Sequence, residues 1–82
     1  MPSRVTLYSA PGCSHCKRAR EFLKHHQIPF QELDVQRSPR ARKQLQRLGA
    51  RGVPVIMVGE QRLDGFQPAP LRRLLREAGF SI

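Results

Sequence analysis

Both cysteines of this 82-residue chain lie in one tetrapeptide, Cys13-Ser14-His15-Cys16, and that tetrapeptide falls where the hydrophobic pattern changes its period. Before it, Val5-Thr6-Leu7-Tyr8 is a short β-branched and aromatic run closed by the turn residues Ala10-Pro11-Gly12, which reads as a buried strand. After it, from Ser14 to His26, apolar groups recur at Ala19, Phe22, Leu23 and His26 with charges between them, which is helical spacing. A fold that accepts this pair has to pass from strand to helix at Cys13. Two cysteines one turn apart cannot staple distant segments, so a hydrophobic core rather than a disulfide framework must hold the chain together.

The remaining pattern supplies that core. Ile28-Pro29 is expected to stop the first helix, because proline disfavours helix at the residue before it. Phe30 to Val35 alternates and predicts a second strand, whose inward face is not evident. Ser38 can cap and Pro39 can open a second helix, with Ala41, Leu45 and Leu48 on one face and Gly49 as its stop. Val55 to Val58 is an apolar strand turned by Gly59-Glu60, followed by a shorter strand around Arg62 to Asp64. Pro68 to Pro70 opens a last helix with Leu71, Leu74, Leu75 and Ala78 inward, ended by Gly79. The order is β-α-β-α-β-β-α, an α/β domain over residues 1–82. It predicts a four-stranded mixed sheet with three helices, the first two strands parallel and the last two an antiparallel hairpin.

Composition removes other classes. With 39% hydrophobic and 26% charged residues the chain has the makings of a globular domain rather than a disordered one. No run approaches the roughly 18 to 20 apolar residues of a membrane span. Met1 to Gly12 lacks the long apolar stretch of a secretory signal.

The Cys13-x-x-Cys16 spacing fits half a zinc site or a redox dithiol. A structural zinc needs four ligands. The chain has no third cysteine, and the adjacent His25 and His26 point about 100° apart on a helix. Metal ligation is therefore not expected. The dithiol reading has a mechanism: the free amides and positive dipole end of a helix N-terminus favour a thiolate at Cys13, and Lys17 and Arg18 add positive potential. Cys13 becomes the nucleophile, and Cys16, one turn on and more buried, resolves the mixed disulfide. His15 either faces the Cys13 sulfur, where it would favour the reduced form, or stands exposed on the helix.

Tyr8 to Cys16 (YSAPGCSHC) with Lys17 and Arg18, Gly52-Val53-Pro54 before the third strand, and Asp64-Gly65-Phe66 before the last helix together resemble the glutaredoxin family, over nearly the whole chain. The resemblance implies the thioredoxin fold, a cis Val53–Pro54 bond facing the cysteines, and a free Val53 backbone against which a substrate segment could pair. Tyr8, Asp64, Gly65 and Phe66 would border that groove; Tyr8 reads equally as a core aromatic, and Phe66 presents an apolar surface to partners or else caps the core. Typical glutathione-using members carry a Lys shortly before the first cysteine, where this chain has Ala10-Pro11-Gly12. They also carry a Gly-Gly-x-Asp run that holds glutathione, where this chain has Asp64-Gly65-Phe66-Gln67. Asp64 would discourage glutathione, or merely face water beside Arg62.

Gly65-Phe66-Gln67-Pro68 and the Arg37-Ser38-Pro39 helix start instead resemble the NrdH-type redoxins. That branch implies an enzyme that reduces protein disulfides, ribonucleotide reductase among them, and is itself reduced by thioredoxin reductase and NADPH. Glutathione as the donor is the alternative. No bound cofactor is implied, since the dithiol is the redox centre. A monomer in the cytoplasm fits the paired reactive thiols and the absent signal.

Fifteen Lys and Arg stand against six Asp and Glu, a formal charge of +9. Thirteen of the basic residues group as Lys17, Arg18, Arg20 and Lys24; as Arg37, Arg40, Arg42, Lys43, Arg47 and Arg51; and as Arg72, Arg73 and Arg76. They serve either as solvated helix faces or to steer an acidic protein partner. A nucleic-acid role is disfavoured by five aromatic residues in all and no recognised binding motif.

Overall fold

The computed structural model describes residues 3–82, in which seven elements follow one another: β1 (Val5–Ser9), α1 (Ser14–His25), β2 (Gln31–Asp34), α2 (Pro39–Arg47), β3 (Val55–Val58), β4 (Gln61–Asp64) and α3 (Pro68–Glu77). This is the succession expected from the periodicity. The sheet runs β2-β1-β3-β4, with β1 parallel to β2 and the β1–β3 and β3–β4 pairs antiparallel.

Strand alternation sorts the core onto two faces. Val5 and Leu7 of β1 and Ile56 and Val58 of β3 pack with Ala19, Leu23 and Ile28 from the α1 region and with Leu71 and Leu75 of α3. Tyr8 and Val55 point the other way and pack with Leu45 of α2, joined at the margin by Leu33, Val35 and Met57. The inward face of β2, not evident in its sequence, is thereby settled. Leu33 goes to the α2 side, and Glu32 goes to the α1 side, where it meets Arg20.

Each helix starts and stops for an identifiable reason. Cys13 and Ser38 cap α1 and α2 with their side chains, Ser38 Oγ accepting from the Ala41 amide at 3.1 Å, whereas Gln67 at the start of α3 makes no side-chain cap. All three helices end in the same hydrogen-bond pattern. The amides of Ile28, Ala50 and Phe80 reach back to the carbonyls of Leu23, Leu45 and Leu75 at 2.9, 3.3 and 3.0 Å. At the left-handed position this motif requires, Gly49 and Gly79 serve α2 and α3, as expected. In α1 the position is filled by Gln27, with φ of 56°. The first helix is therefore ended at His25 by Gln27, and not by Pro29 two residues later.

The register brings the functional ends together. Ser9 pairs with Asp34, Tyr8 with Val55 and Val55 with Asp64, so the last residues of β1, β2 and β4 and the first of β3 share one pole of the sheet. The chain leaves β1 at that pole and enters α1 through the cysteine tetrapeptide.

Candidate redox site

Cys13 occupies the N-cap of α1, with extended backbone (φ −88°, ψ 109°). Its carbonyl accepts the first helical bond from the Lys17 amide at 3.1 Å, and its Sγ accepts the Cys16 amide at 3.2 Å. Sulfur here takes the place of the oxygen that Ser or Asp usually presents to the free amides of a helix start, with the positive end of the dipole directed at it. The thiol also faces the carbonyl oxygen of Val53, to which it donates across 4.0 Å. Both cysteines are free thiols; Cys13 is half-buried and Cys16 has 0% exposure.

The two thiols sit in different surroundings. Burial pushes Cys16 up to about 12, and its hydrogen bond with Cys13 and the nearby charge of Cys13 push in the same direction. A backbone bond at Ala10 and the charge of Arg20 oppose them. Arg20 lies one helical turn beyond Cys16 and is held by Glu32, Nε to Oε1 at 2.8 Å and Nη2 to Oε2 at 2.5 Å, while the buried Ser9 hydroxyl donates to the same carboxylate at 2.8 Å. The sequence does not single out Ser9 or Glu32, and Arg20 stands out there only as one of the basic residues of the first helix. The i, i+4 spacing of Cys16 and Arg20 is legible there, but Glu32 joins them only through the strand register.

The Val53–Pro54 peptide is cis. The carbonyl of Pro54 accepts the Gly65 amide at 2.8 Å, and Gly65 sits at φ +80°, a conformation that glycine adopts without strain. That bond ties the loop before α3 to the loop before β3. Between them runs a groove of about 430 Å³ lined by Arg51, Gly52, Val53, Pro54, Asp64 and Gly65.

The other expected site residues are distributed as follows. Val53, Pro54, Asp64 and Gly65 line the groove together. Asp64 does not stand as a free carboxylate: Arg62 grips it through Nε–Oδ1 at 2.6 Å and Nη2–Oδ2 at 2.8 Å, and also donates to the Leu48 carbonyl. Phe66 is half-buried, packs on the core and meets the edge of Phe22 at 5.8 Å. With Arg18 and Phe22 it borders a shallow depression along α1.

Two residues take the second of the two places the sequence leaves open to them. Tyr8 is buried against Leu45 and Val55 and donates its hydroxyl to Gln44 Oε1 at 3.1 Å, so it is a core residue under α2. Strand parity explains this, because Tyr8 shares its face with Thr6 and not with Leu7. His15 is exposed on the first turn of α1, and among the described residues the polar contacts of the Cys13 sulfur come from Cys16 and Val53 rather than from the imidazole. Lys17 and Arg18 are exposed beside the pair. Among the described residues, no three His, Cys, Asp or Glu side chains converge as they would on a metal ion.

Residues 5–63 match the Glutaredoxin family. Over 70 residues the chain is 33% identical to the glutaredoxin-like protein NrdH of Lactococcus lactis subsp. cremoris, spanning 85% of this chain and 97% of that one. A solved thioredoxin-like protein superposes with a TM-score of 0.84 at 30% identity, over 88% of this chain and 100% of the other. The NrdH-redoxin of Escherichia coli, a glutaredoxin-like protein whose structure was used to explain a thioredoxin-like activity profile, gives 0.79 at 30% identity, over 87% of this chain and 93% of its own. The sheet order, the three helices and these neighbours agree on the thioredoxin fold.

Proposed function

The chain belongs to the glutaredoxin family and is a thiol-disulfide oxidoreductase, and from that premise we propose that it works as an NrdH-like electron carrier, reducing protein disulfides and drawing its own electrons from thioredoxin reductase and NADPH. In this reading the Cys13 thiolate attacks one sulfur of a substrate disulfide. A mixed disulfide forms, and the other substrate sulfur leaves as a thiolate that takes up a proton. Cys16 then gives up its proton and attacks the Cys13 sulfur. The Cys13–Cys16 disulfide closes, and the second substrate sulfur departs and is protonated. Two electrons and two protons have passed to the substrate, and the reductase returns the same number from NADPH and solvent.

The observation that carries the mechanism is the unequal placement of the two thiols. Cys13 is half-exposed with a helix amide on its sulfur, and Cys16 is fully buried behind it. The inequality also orders the two steps. Two of the influences that hold Cys16 protonated, its hydrogen bond with Cys13 and the charge of Cys13, vanish once Cys13 is consumed in the mixed disulfide, while the Arg20 charge that favours the Cys16 thiolate remains. Deprotonation of Cys16 is thereby eased at the stage when it must attack, although burial, the largest of the influences, persists.

Two features of the groove favour thioredoxin reductase over glutathione as the donor. Where glutathione-using relatives place Gly-Gly-x-Asp, Asp64 adds a carboxylate locked by Arg62, and Gln67 turns its amide to the Asp64 carbonyl at 3.3 Å instead of offering an acid to the glutathione amine. The thioredoxin-like activity profile ascribed to the E. coli relative points the same way. Ribonucleotide reductase is the protein substrate this branch suggests, in the cytoplasm and with the chain acting as a monomer.

The test supplies oxidised protein with NADPH and thioredoxin reductase, and separately with NADPH, glutathione and glutathione reductase, following NADPH oxidation with insulin as the disulfide acceptor. Turnover in the first system, abolished by Cys13→Ser, is expected. Turnover confined to the second would replace this reading with a glutathione-dependent one.

A further inference from the structure

The carboxylates of the pole that carries Cys13 are all spoken for. Asp34, at the end of β2, accepts the amides of Gln36 and Arg37 at 2.8 and 3.2 Å and lies 3.8 Å from the Arg37 guanidinium. Asp64, at the end of β4, is held by Arg62, and Glu32, two residues before the end of β2, by Arg20. The other three acids are elsewhere. Glu60 sits in the β3–β4 turn, beside the Gly59 amide that bonds the Arg4 carbonyl at the start of β1. Glu77 ends α3 next to Ala78, whose carbonyl accepts the Ser3 amide at that same far end. Glu21 lies eight residues past Cys13, roughly 12 Å along α1.

The cations of the pole are not neutralised in the same way. Among the described residues, Lys17, Arg18 and Arg51 are exposed and form none of the ion pairs. Arg51 is placed to matter most, since it lines the groove with Val53 and Pro54, and the Val53 carbonyl faces Cys13. A second basic ridge lies on α2. Arg40, Lys43 and Arg47 project from α2 around a cleft of about 480 Å³, and no acidic residue lies on that helix. A chain segment that entered the groove would meet Arg51 in its wall and Lys17 and Arg18 beside the cysteine pair, with the one carboxylate lining it already satisfied by Arg62.

From this arrangement, and resting on the redox reading above, we propose that the groove takes disulfides carried on acidic protein segments, with Arg51 reading a carboxylate next to the substrate cysteine and the α2 ridge engaging the flanking acidic surface. The gain is in encounter and register, since complementary charge raises association rates and its effect fades with salt. An acidic protein fits better than a nucleic acid because the unpaired cation Arg51 lines the redox groove itself. The aromatic rings at and near that pole are not free to stack on bases: Tyr8 is buried under α2 and bonded to Gln44, and Phe66 packs on the core and on Phe22.

The test uses two synthetic peptides sharing one Cys-x-x-Cys disulfide core, one flanked by glutamates and one by lysines, with hydroxyethyl disulfide as an uncharged third substrate. The reduced protein is mixed with each at about 20 mM and about 500 mM salt. At low salt the acidic peptide should be reduced about tenfold faster than the basic one, with the ratio collapsing toward one at high salt. Arg51→Glu should lower that ratio at least about threefold, Arg51→Gln by less. Equal rates with both peptides, or a ratio indifferent to salt, would overturn the proposal while leaving the redox reading intact. Failure to reduce any of the three substrates would overturn the redox reading itself. Charge-independent peptide rates together with tight binding of a single-stranded RNA oligonucleotide at about 150 mM salt would assign the cations to nucleic acid and also overturn it.

Discussion

Arg20 on α1 grips Glu32 on β2 with both arms of its guanidinium, and so fastens the helix that carries Cys16 to the outer strand of the sheet. The pair is partly shielded, with about a third of each side chain exposed, and it satisfies the buried Ser9 hydroxyl as well. The hydrogen bond from Arg20, first, and those from Ser9 and the Arg20 charge hold the Glu32 carboxyl below the ordinary carboxylate range, against the opposing effect of burial. A carboxyl depressed on folding contributes stability that is complete above the unfolded value of about 4.3 and is lost as pH falls through the folded value. Glu32→Gln should therefore cost about 1 kcal/mol at neutral pH, with the gap to wild type closing below about pH 4. Urea unfolding across that range measures it, and a gap of constant size would show that the pair contributes no pH-linked stability.

The same pair shows where the sequence stops being informative. The strand-to-helix junction, the Ser38 cap and the glycine stops at Gly49 and Gly79 are local, and each can be read from neighbouring residues. Glu32 meets Arg20 only because β2 lies parallel to β1 in a particular register, which no local pattern in Gln31-Glu32-Leu33-Asp34 declares. The choice between groove and core stays open for Tyr8 in the sequence for a related reason: adjacent strand residues face opposite sides of the sheet, and which side receives α1 is a tertiary fact. The placement of the cysteine pair at the start of α1 and of the Val53–Pro54 loop before β3 is legible because their motifs are short and contiguous. The neutralisation of Asp64 turns on side-chain orientation and on the approach of the Leu48 carbonyl.

The contrast between the thiols gives a chemical prediction. Cys16 is fully buried and pushed up to about 12, first by burial itself. Substoichiometric iodoacetamide at neutral pH should label Cys13 and leave Cys16 unmodified, as read by peptide mapping. In Cys13→Ser the burial persists, so alkylation of Cys16 should run on the order of a hundredfold slower than alkylation of the wild-type protein. Comparable labelling of both cysteines would refute the assignment of nucleophile and resolving thiol.

Gln27 carries a stability prediction of opposite sign to most substitutions. It holds the left-handed position at the end of α1, with φ of 56°, that Gly49 and Gly79 hold in the other two helices. A side chain there costs about 1–2 kcal/mol that glycine avoids, offset in part by the greater freedom of glycine in the unfolded chain. Gln27→Gly should stabilise the protein by about 0.5–1 kcal/mol, raising Tm by a few degrees. Gly49→Ala should do the reverse. If Gln27→Gly lowers Tm, contacts of the glutamine side chain outweigh the backbone strain.

Gln67 links stability to specificity. It stands at the N-cap of α3 without a side-chain hydrogen bond to the helix, and directs its amide instead to the Asp64 carbonyl. An aspartate there would accept from the free amides of the first turn and meet the positive end of the dipole, a change worth about 1 kcal/mol. The same carboxylate would restore the acidic residue that glutathione-using relatives present at this point of the run. Gln67→Asp should thus raise Tm by about 4–8 °C and, combined with Asp64→Gly, raise turnover with glutathione and glutathione reductase above that of the parent protein. The two readouts separate the causes. A higher Tm without a gain in glutathione turnover would confirm the missing cap and show that features other than Asp64 and Gln67, such as the absent lysine before Cys13, keep glutathione out.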